Sequence, residues 1–330
     1  MSPNACLPTP VVFIIFKRPE TTRKVFDVIR QVKPRQLLVI ADGPRPDRPE
    51  EIEQCAQTRA IIDSVDWDCQ VIKRYSDINL GCARSVSSGL SWAFSLVEEA
   101  IILEDDCLPH PSFFPFCQEL LQRYRYDSRI TSISGQNVQF GRRRTDYDYY
   151  FSAFNHIWGW ATWRRAWQHY DAEMKRWPEF RDQGLLHDIW DNADAVRYWT
   201  KILDNQYSDS LRQQRNWDYQ WTFSCWCQSG LGIISNVNLV SNLGFDANGT
   251  NILSAQGNFA KQYSCLPTET LSFPLQHPPF VVRNLLADRF TQNTLFRESR
   301  LQQLKDALKT QIKLLNRSDP QKATSPSPAR

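Results

Sequence analysis

Residues 100–109 read AIILEDDCLP, an apolar run that drives into three consecutive carboxylates, Glu104, Asp105 and Asp106, and is followed by the proline- and phenylalanine-rich HPSFFPF. A short continuous apolar run of this kind suits a buried strand of a sheet covered on both faces. A strand that ends on acidic residues presents them at its carboxyl end, the edge at which open α/β sheets bind ligands. Pro109 and Pro111 are then expected to start a helix through PSFFPFCQELLQRY, which would put the triplet in a strand-to-helix loop and not on a solvated helix face.

Working outward, the same alternation of short apolar runs and helical patterns recurs on both sides. Val11 to Phe16 reads as a strand, and after Pro19 the residues Val25, Val28, Ile29 and Val32 fall at i, i+3, i+4 and i+7 on one helix face. QLLVIADGP reads as a strand that ends in an Asp-Gly turn. A helix is expected over 49–65, a strand over 69–75, a helix over 84–98 and a further strand over 130–134. This pattern predicts an α/β fold of Rossmann-like type, a mostly parallel sheet flanked by helices. Beyond Gly135 the chain turns aromatic and loop-rich, through YDYYFSAFNHIWGWATWRRAW and later NWDYQWTFSCWCQSG. The expected organisation is a catalytic domain over 9–253, with a donor half at about 9–135 and an acceptor half at about 136–253. A connector and helical appendage over 254–317 and a polar, Pro-rich tail over 318–330, expected to be disordered, would follow.

Composition narrows the classes. A formal charge of +3 with scattered basic residues argues against a nucleic-acid partner. The nine cysteines lack zinc-type pairing and read as reduced thiols of a cytoplasmic protein. No stretch approaches the ~20 apolar residues that cross a bilayer, so membrane contact is expected to be peripheral, at the inner face. Its candidate is a predicted helix from Leu285 to Asn316, with Arg289, Arg297, Arg300, Lys305, Lys309, Lys313 and Arg317 beside Leu301, Leu304, Ala307 and Leu308. The twelve tryptophans suit sugar binding and aromatic packing alike.

The chemistry that such a carboxylate cluster suits is the departure of a diphosphate. Charge grows on two phosphates as a glycosidic bond breaks, and a hard divalent cation held by carboxylate oxygens offsets it. With EDDCLPHPSFFPF on the page, the chain resembles the GT-A fold nucleotide-sugar glycosyltransferases, in particular N-acetylglucosaminyltransferase I and its bacterial relatives, from Val11 to about Asn251. The resemblance implies a DXD-type motif in which Asp106 binds manganese, or else magnesium, and Glu104 and Asp105 serve the ribose, the sugar or the metal's water shell. It places Arg18 of FKRPETT near the uracil and Asp42 of VIADG on the base. Arg84, at the mouth of a predicted helix, is a phosphate candidate.

In NWDYQW the resemblance implies that Asp218 deprotonates the acceptor hydroxyl, with Trp217 and Trp221 beside it. The family segment is Trp-Asp-Asp-Trp, so this chain has one residue more between the tryptophans and lacks the second carboxylate. Gly159 of HIWGWATW would let backbone approach a ligand, and Trp158 or Trp160 would stack on a sugar face. A late histidine ligand common among relatives is missing from NLGFDANGTNIL, where Asn251 or Asp246 is its candidate replacement. The implied activity is an inverting, metal-assisted transfer from a UDP-sugar, UDP-GlcNAc among them, to a hydroxyl of a glycan or lipid-linked saccharide in polysaccharide biosynthesis. The rival readings are a nucleotidyltransferase that makes nucleotide sugars, for which FKRPETT lacks a glycine-rich loop, and a non-catalytic glycan-binding protein.

Overall fold

The computed structural model describes residues 6–210, 216–244 and 265–296. The expected tail, most of the basic appendage, Asp246 and Asn251 lie outside them.

Strands β1 (Val11–Ile15), β2 (Gln36–Ala41), β3 (Gln70–Tyr75) and β4 (Glu99–Glu104) pair in parallel, in the order β3-β2-β1-β4. Their crossovers carry helices α1 (Pro19–Val32), α2 (Glu50–Ala60) and α3 (Cys82–Leu96). The side-chain alternation of a strand explains why runs such as VVFII are apolar throughout. Val11, Phe13 and Ile15 enter one core with Val25, Phe26 and Ile29 of α1, while Val12 and Ile14 enter another with Val86 and Leu90 of α3.

The second half of the chain completes the same sheet. Strands β6 (Ile130–Ser134), β7 (Tyr149–Ser152), β8 (Trp160–Trp163) and β9 (Leu231–Ser235) extend it to eight strands, β3-β2-β1-β4-β8-β6-β9-β7. β8 runs antiparallel to both β4 and β6, and β7 antiparallel to β9. The sheet is therefore mixed, with its parallel block on the β3 side. Helix α4 (Phe113–Arg123) covers one face, and α5 (Arg164–Trp167) and α9 (Asp218–Cys227) contribute to the other. Between them, α6 (Trp177–Asp182), α7 (Leu186–Ile189) and α8 (Ala193–Ser210) build a satellite core.

Two expectations change here. A three-residue strand, β5 (Cys107–Pro109), stands between the acidic triplet and α4, and it pairs antiparallel with β10 (Val240–Asn242). The triplet thus occupies a strand-turn-strand connection, because the chain returning after β9 supplies β5 with a partner. Of the helix expected over 285–316, the described part runs Leu285–Leu295. All nine cysteines are free, and no helix among the described residues is long and apolar enough to cross a membrane.

Candidate active site

Parallel register sets the geometry of the site. Ile14 pairs with Glu104 and Ile15 with Ala41, so the carboxyl ends of β1, β2 and β4 finish in one row. Past the end of β1, the Phe16 amide donates to Asp105 Oδ2 at 3.0 Å. Arg18 caps α1, and its guanidinium reaches back to Asp106 Oδ2 at 2.5 Å and lies 3.7 Å from Asp105 Oδ1. The sequence put Arg18 at the uracil; here it is tied to the carboxylates of the triplet, since Pro19 starts the helix immediately after it.

A second chain segment closes over the triplet. Leu243 N donates to the Asp106 carbonyl at 2.8 Å, and Gly244 packs so closely that a Cβ there would lie 2.1 Å from Asp106 Oδ2. Gly244 was not singled out from the sequence. The requirement for glycine comes from a contact across 138 positions of chain, which no local pattern signals.

Asp42 is buried, and its carboxylate accepts from the amides of Gly43 at 2.9 Å, Leu80 at 2.8 Å and Gly81 at 3.1 Å. Burial raises its pKa while those three amides pull the other way. Both oxygens tie the β2 turn to the loop before α3. Gly81 caps α3 at a φ of +80°, a conformation that favours glycine, and Arg84 is exposed on the first turn of that helix.

Asp218 opens α9, and burial raises its pKa. Burial, then the neighbouring charges of Asp106, Asp105 and Asp218, push Glu104 up to about 8. Burial and Asp106 push Asp105 to about 7, against the pull of Arg18. Burial, then the neighbouring charges of Glu104, Asp218, Asp42 and Asp106, push the thiol of Cys82, which the sequence reading passed over, up to about 12. Glu104 at the end of β4, Asp105 and Asp106 in the turn after it and Asp218 on α9 are near enough to act on one another's charge, and together they border the candidate cleft.

The tryptophans are placed otherwise than expected. Trp160, Trp217 and Trp221 are buried. Trp160 stacks on Trp217 with centroids 5.9 Å apart and lies 5.8 Å from Trp221, with Trp167 packed against both. No ring face of these three is left to a sugar; they form the wall under Asp218. Gly159 does need its glycine, at a φ of +66°, and it packs closely against Val240. Trp158 is half-buried and is the tryptophan of this segment with surface to offer.

Among the described residues no group of three or more His, Cys, Asp or Glu side chains forms a ready metal cage. The donor chemistry nevertheless fits a hard cation. Three crowded carboxylates, two of them strongly raised, share a single guanidinium as countercharge, and oxygen donors are what manganese and magnesium take.

A cleft at the carboxyl edge of a βαβ sheet, with carboxylates in the strand-turn after β4 and another on a helix opposite, defines the GT-A class of fold. The chain belongs to glycosyl transferase family 2, whose model matches residues 11–183. Among solved structures, UDP-glucose pyrophosphorylase complexed with UDP-glucose aligns with 46% of this chain and 64% of that one, at 11% identity and a TM-score of 0.26. The chain thus spans less than two thirds of that structure. The galactosyltransferase LgtC, in complex with donor and acceptor sugar analogs, aligns with 90% of this chain and 100% of that one, at 11% identity and a TM-score of 0.36. The chain has no significant match among curated proteins.

Proposed function

We propose that this chain transfers a sugar from a nucleoside-diphosphate donor, of the UDP-sugar type and with UDP-GlcNAc as first candidate, to a hydroxyl of a glycan or lipid-linked saccharide, with inversion. The observation that supports this reading is the carboxylate turn at the carboxyl end of β4, where Arg18 pairs with Asp105 and Asp106 and Gly244 packs on Asp106, with Asp218 on α9 near enough for its charge to act on Glu104. It supports a division of labour in which one wall meets the diphosphate and the facing wall meets the acceptor.

Asp218 takes the proton from the acceptor oxygen as that oxygen attacks the anomeric carbon. Its burial makes it a stronger base than a solvated aspartate, and such a base contributes roughly a hundred- to ten-thousand-fold. The buried tryptophan wall beneath α9 fixes the helix that carries it. Asp106 would hold a divalent cation, manganese before magnesium, with Glu104 beside it. When bound, that cation supplies Lewis-acid neutralisation of the departing diphosphate. Arg18 gives the phosphates a guanidinium at the same place, and Arg84 offers a second on the helix mouth. Trp158 is the candidate for sugar stacking.

A panel of nucleotide sugars read by thermal shift, with and without manganese, tests the reading. A donor at about 100 times its Kd adds about 2.7 kcal/mol, which raises the Tm of a protein of this size by several degrees. A shift confined to UDP-sugars and enlarged by manganese is expected; no shift with any nucleotide sugar would sink the proposal.

A further inference from the structure

β7 is an edge strand of the sheet, and the chain returns alongside it, Phe151 bridging in parallel to Arg283. The returning segment and the residues leading into β7 form an open groove lined by Tyr147, Pro279, Phe280, Val282, Leu285 and Leu286. Phe280 is 74% exposed, Val282 69%, Leu286 67% and Leu285 46%. Single exposed apolar residues are ordinary on a protein surface, but four within seven positions around one groove form a patch that calls for a partner.

The charge beside this ridge is mainly positive. Arg142 and Arg143 are exposed and Arg144 half-buried, on the loop that leads into β7. This loop is fastened to the ridge: Asn284 Nδ2 donates to the Arg144 carbonyl at 3.2 Å, and the Arg142 and Arg144 guanidiniums lie 4.6 and 5.0 Å from the centre of the Phe290 ring, one turn beyond Leu286. The guanidinium hydrogen bonds of Arg142 and Arg144 go to Gln139, an uncharged residue. The other cations nearby are spent, Arg283 on buried Asp288 and Arg289 on Asp191. Asp146 is the exposed acid of this loop.

Register also fixes where this rim lies. Trp160 pairs with both Ile102 and Ser134, Ser134 with Ile234, and Ser235 with Tyr149. The loop from β6 to β7 therefore sits at the same edge of the sheet as Glu104, four strands away, or roughly 20 Å at about 4.8 Å per strand.

We propose that this rim is a docking surface for a bilayer containing anionic lipid. Phe280, Val282 and Leu286 enter the boundary of the acyl region, and Arg142 and Arg143 meet headgroup phosphates. An apolar ridge flanked by guanidiniums that have no carboxylate partner among the described residues matches a surface that is apolar below and anionic above. A protein partner would instead have to bring acids to a site where this chain supplies one. Docked in this way, the β7 side of the sheet lies against the membrane, with the cleft at the same sheet edge as the β6-to-β7 loop. The residues of this surface are other than those of the basic stretch expected after Leu295, and the proposal does not depend on which sugar is transferred.

The full chain is mixed with vesicles of phosphatidylcholine alone, or of phosphatidylcholine with phosphatidylglycerol, and the bound fraction is read by co-sedimentation. Binding to the anionic vesicles is expected, and each near-surface basic residue is worth ~1 kcal/mol, or about fivefold. Arg142→Glu with Arg143→Glu should therefore lower partitioning by roughly tenfold or more, and Phe280→Ser with Leu286→Ser should lower it comparably, both with an unchanged Tm. A Lys305→Glu, Lys309→Glu, Lys313→Glu variant should still bind. Wild type that ignores anionic vesicles would overturn the proposal, as would binding lost in the lysine variant and kept in the other two. Light scattering that shows a dimer which Phe280→Ser with Leu286→Ser converts to monomer would assign the rim to a second copy instead.

Discussion

Asp106 is held from two sides, by the Arg18 guanidinium and by the backbone at Gly244. A methyl group at position 244 would lie 2.1 Å from its carboxylate oxygen and 3.1 Å from Arg18 Nη1. One of the three must move, and the carboxylate and guanidinium are the groups to which the proposed function assigns the donor diphosphate and its cation. Gly244→Ala should therefore weaken donor binding by tenfold or so, about 1.4 kcal/mol, while the fold persists; calorimetry with a UDP-sugar reads the first and a thermal melt the second. Donor affinity equal to wild type would show that the carboxylate does not have to stay where it is. The triplet itself was legible in the sequence because an apolar strand pointed at it. Gly244 and Cys82 were not, since each acquires its meaning only when distant segments close on the cleft. The Asp-Gly turn at Asp42 was legible, but not its bonds to the amides of Leu80 and Gly81, which come from a loop almost forty positions away.

The helix α9 depends on its tryptophans. Trp221 lies one turn from Asp218 and is buried against Trp160 and Trp167. Trp221→Ala should cost about 3–5 kcal/mol, read as a fall in the urea midpoint, and should lower kcat more than donor affinity because it is the base-bearing helix that loosens. A loss of donor affinity with kcat intact would assign Trp221 to the sugar after all. The strands β1, β2, β3 and β4 could be read directly, since their apolar runs fill both faces of a sheet between helices. Strands β7 and β8 could not. They are four residues each, embedded in aromatic stretches, and YYFS or WATW carries no period that separates a strand from packed loop. The tryptophan excess misled for the same reason: aromatic mass suits a sugar platform and a core equally, and most of it here is core.

The donor side of the molecule is braced by a buried carboxylate. Glu51 of α2 has a side chain 1% exposed, accepts from Lys17 Nζ at 2.6 Å and from Arg45 Nε at 2.9 Å, and so ties the β1 turn to the β2 turn. Burial alone would raise its pKa, but the Arg45 and Lys17 hydrogen bonds outweigh burial and hold it at about 2, below its ordinary 4.5. A depressed acid stabilises the fold at pH above its unfolded value, and that stabilisation is lost as pH falls through the folded one. Glu51→Gln should then be less stable than wild type at neutral pH, with the two melting curves converging between about pH 4.5 and pH 2; a difference that stays constant across that window would rule the brace out. The whole arrangement, sheet edge, carboxylate turn and facing helix, exists on this account to bring a donor diphosphate and an acceptor hydroxyl together across one cleft. The most direct measurement is turnover and donor affinity of Asp218→Asn side by side. The account predicts a UDP-sugar Kd close to wild type with transfer reduced by a hundredfold or more, within the ~10²–10⁴ range of a general base. Transfer at the wild-type rate would contradict it.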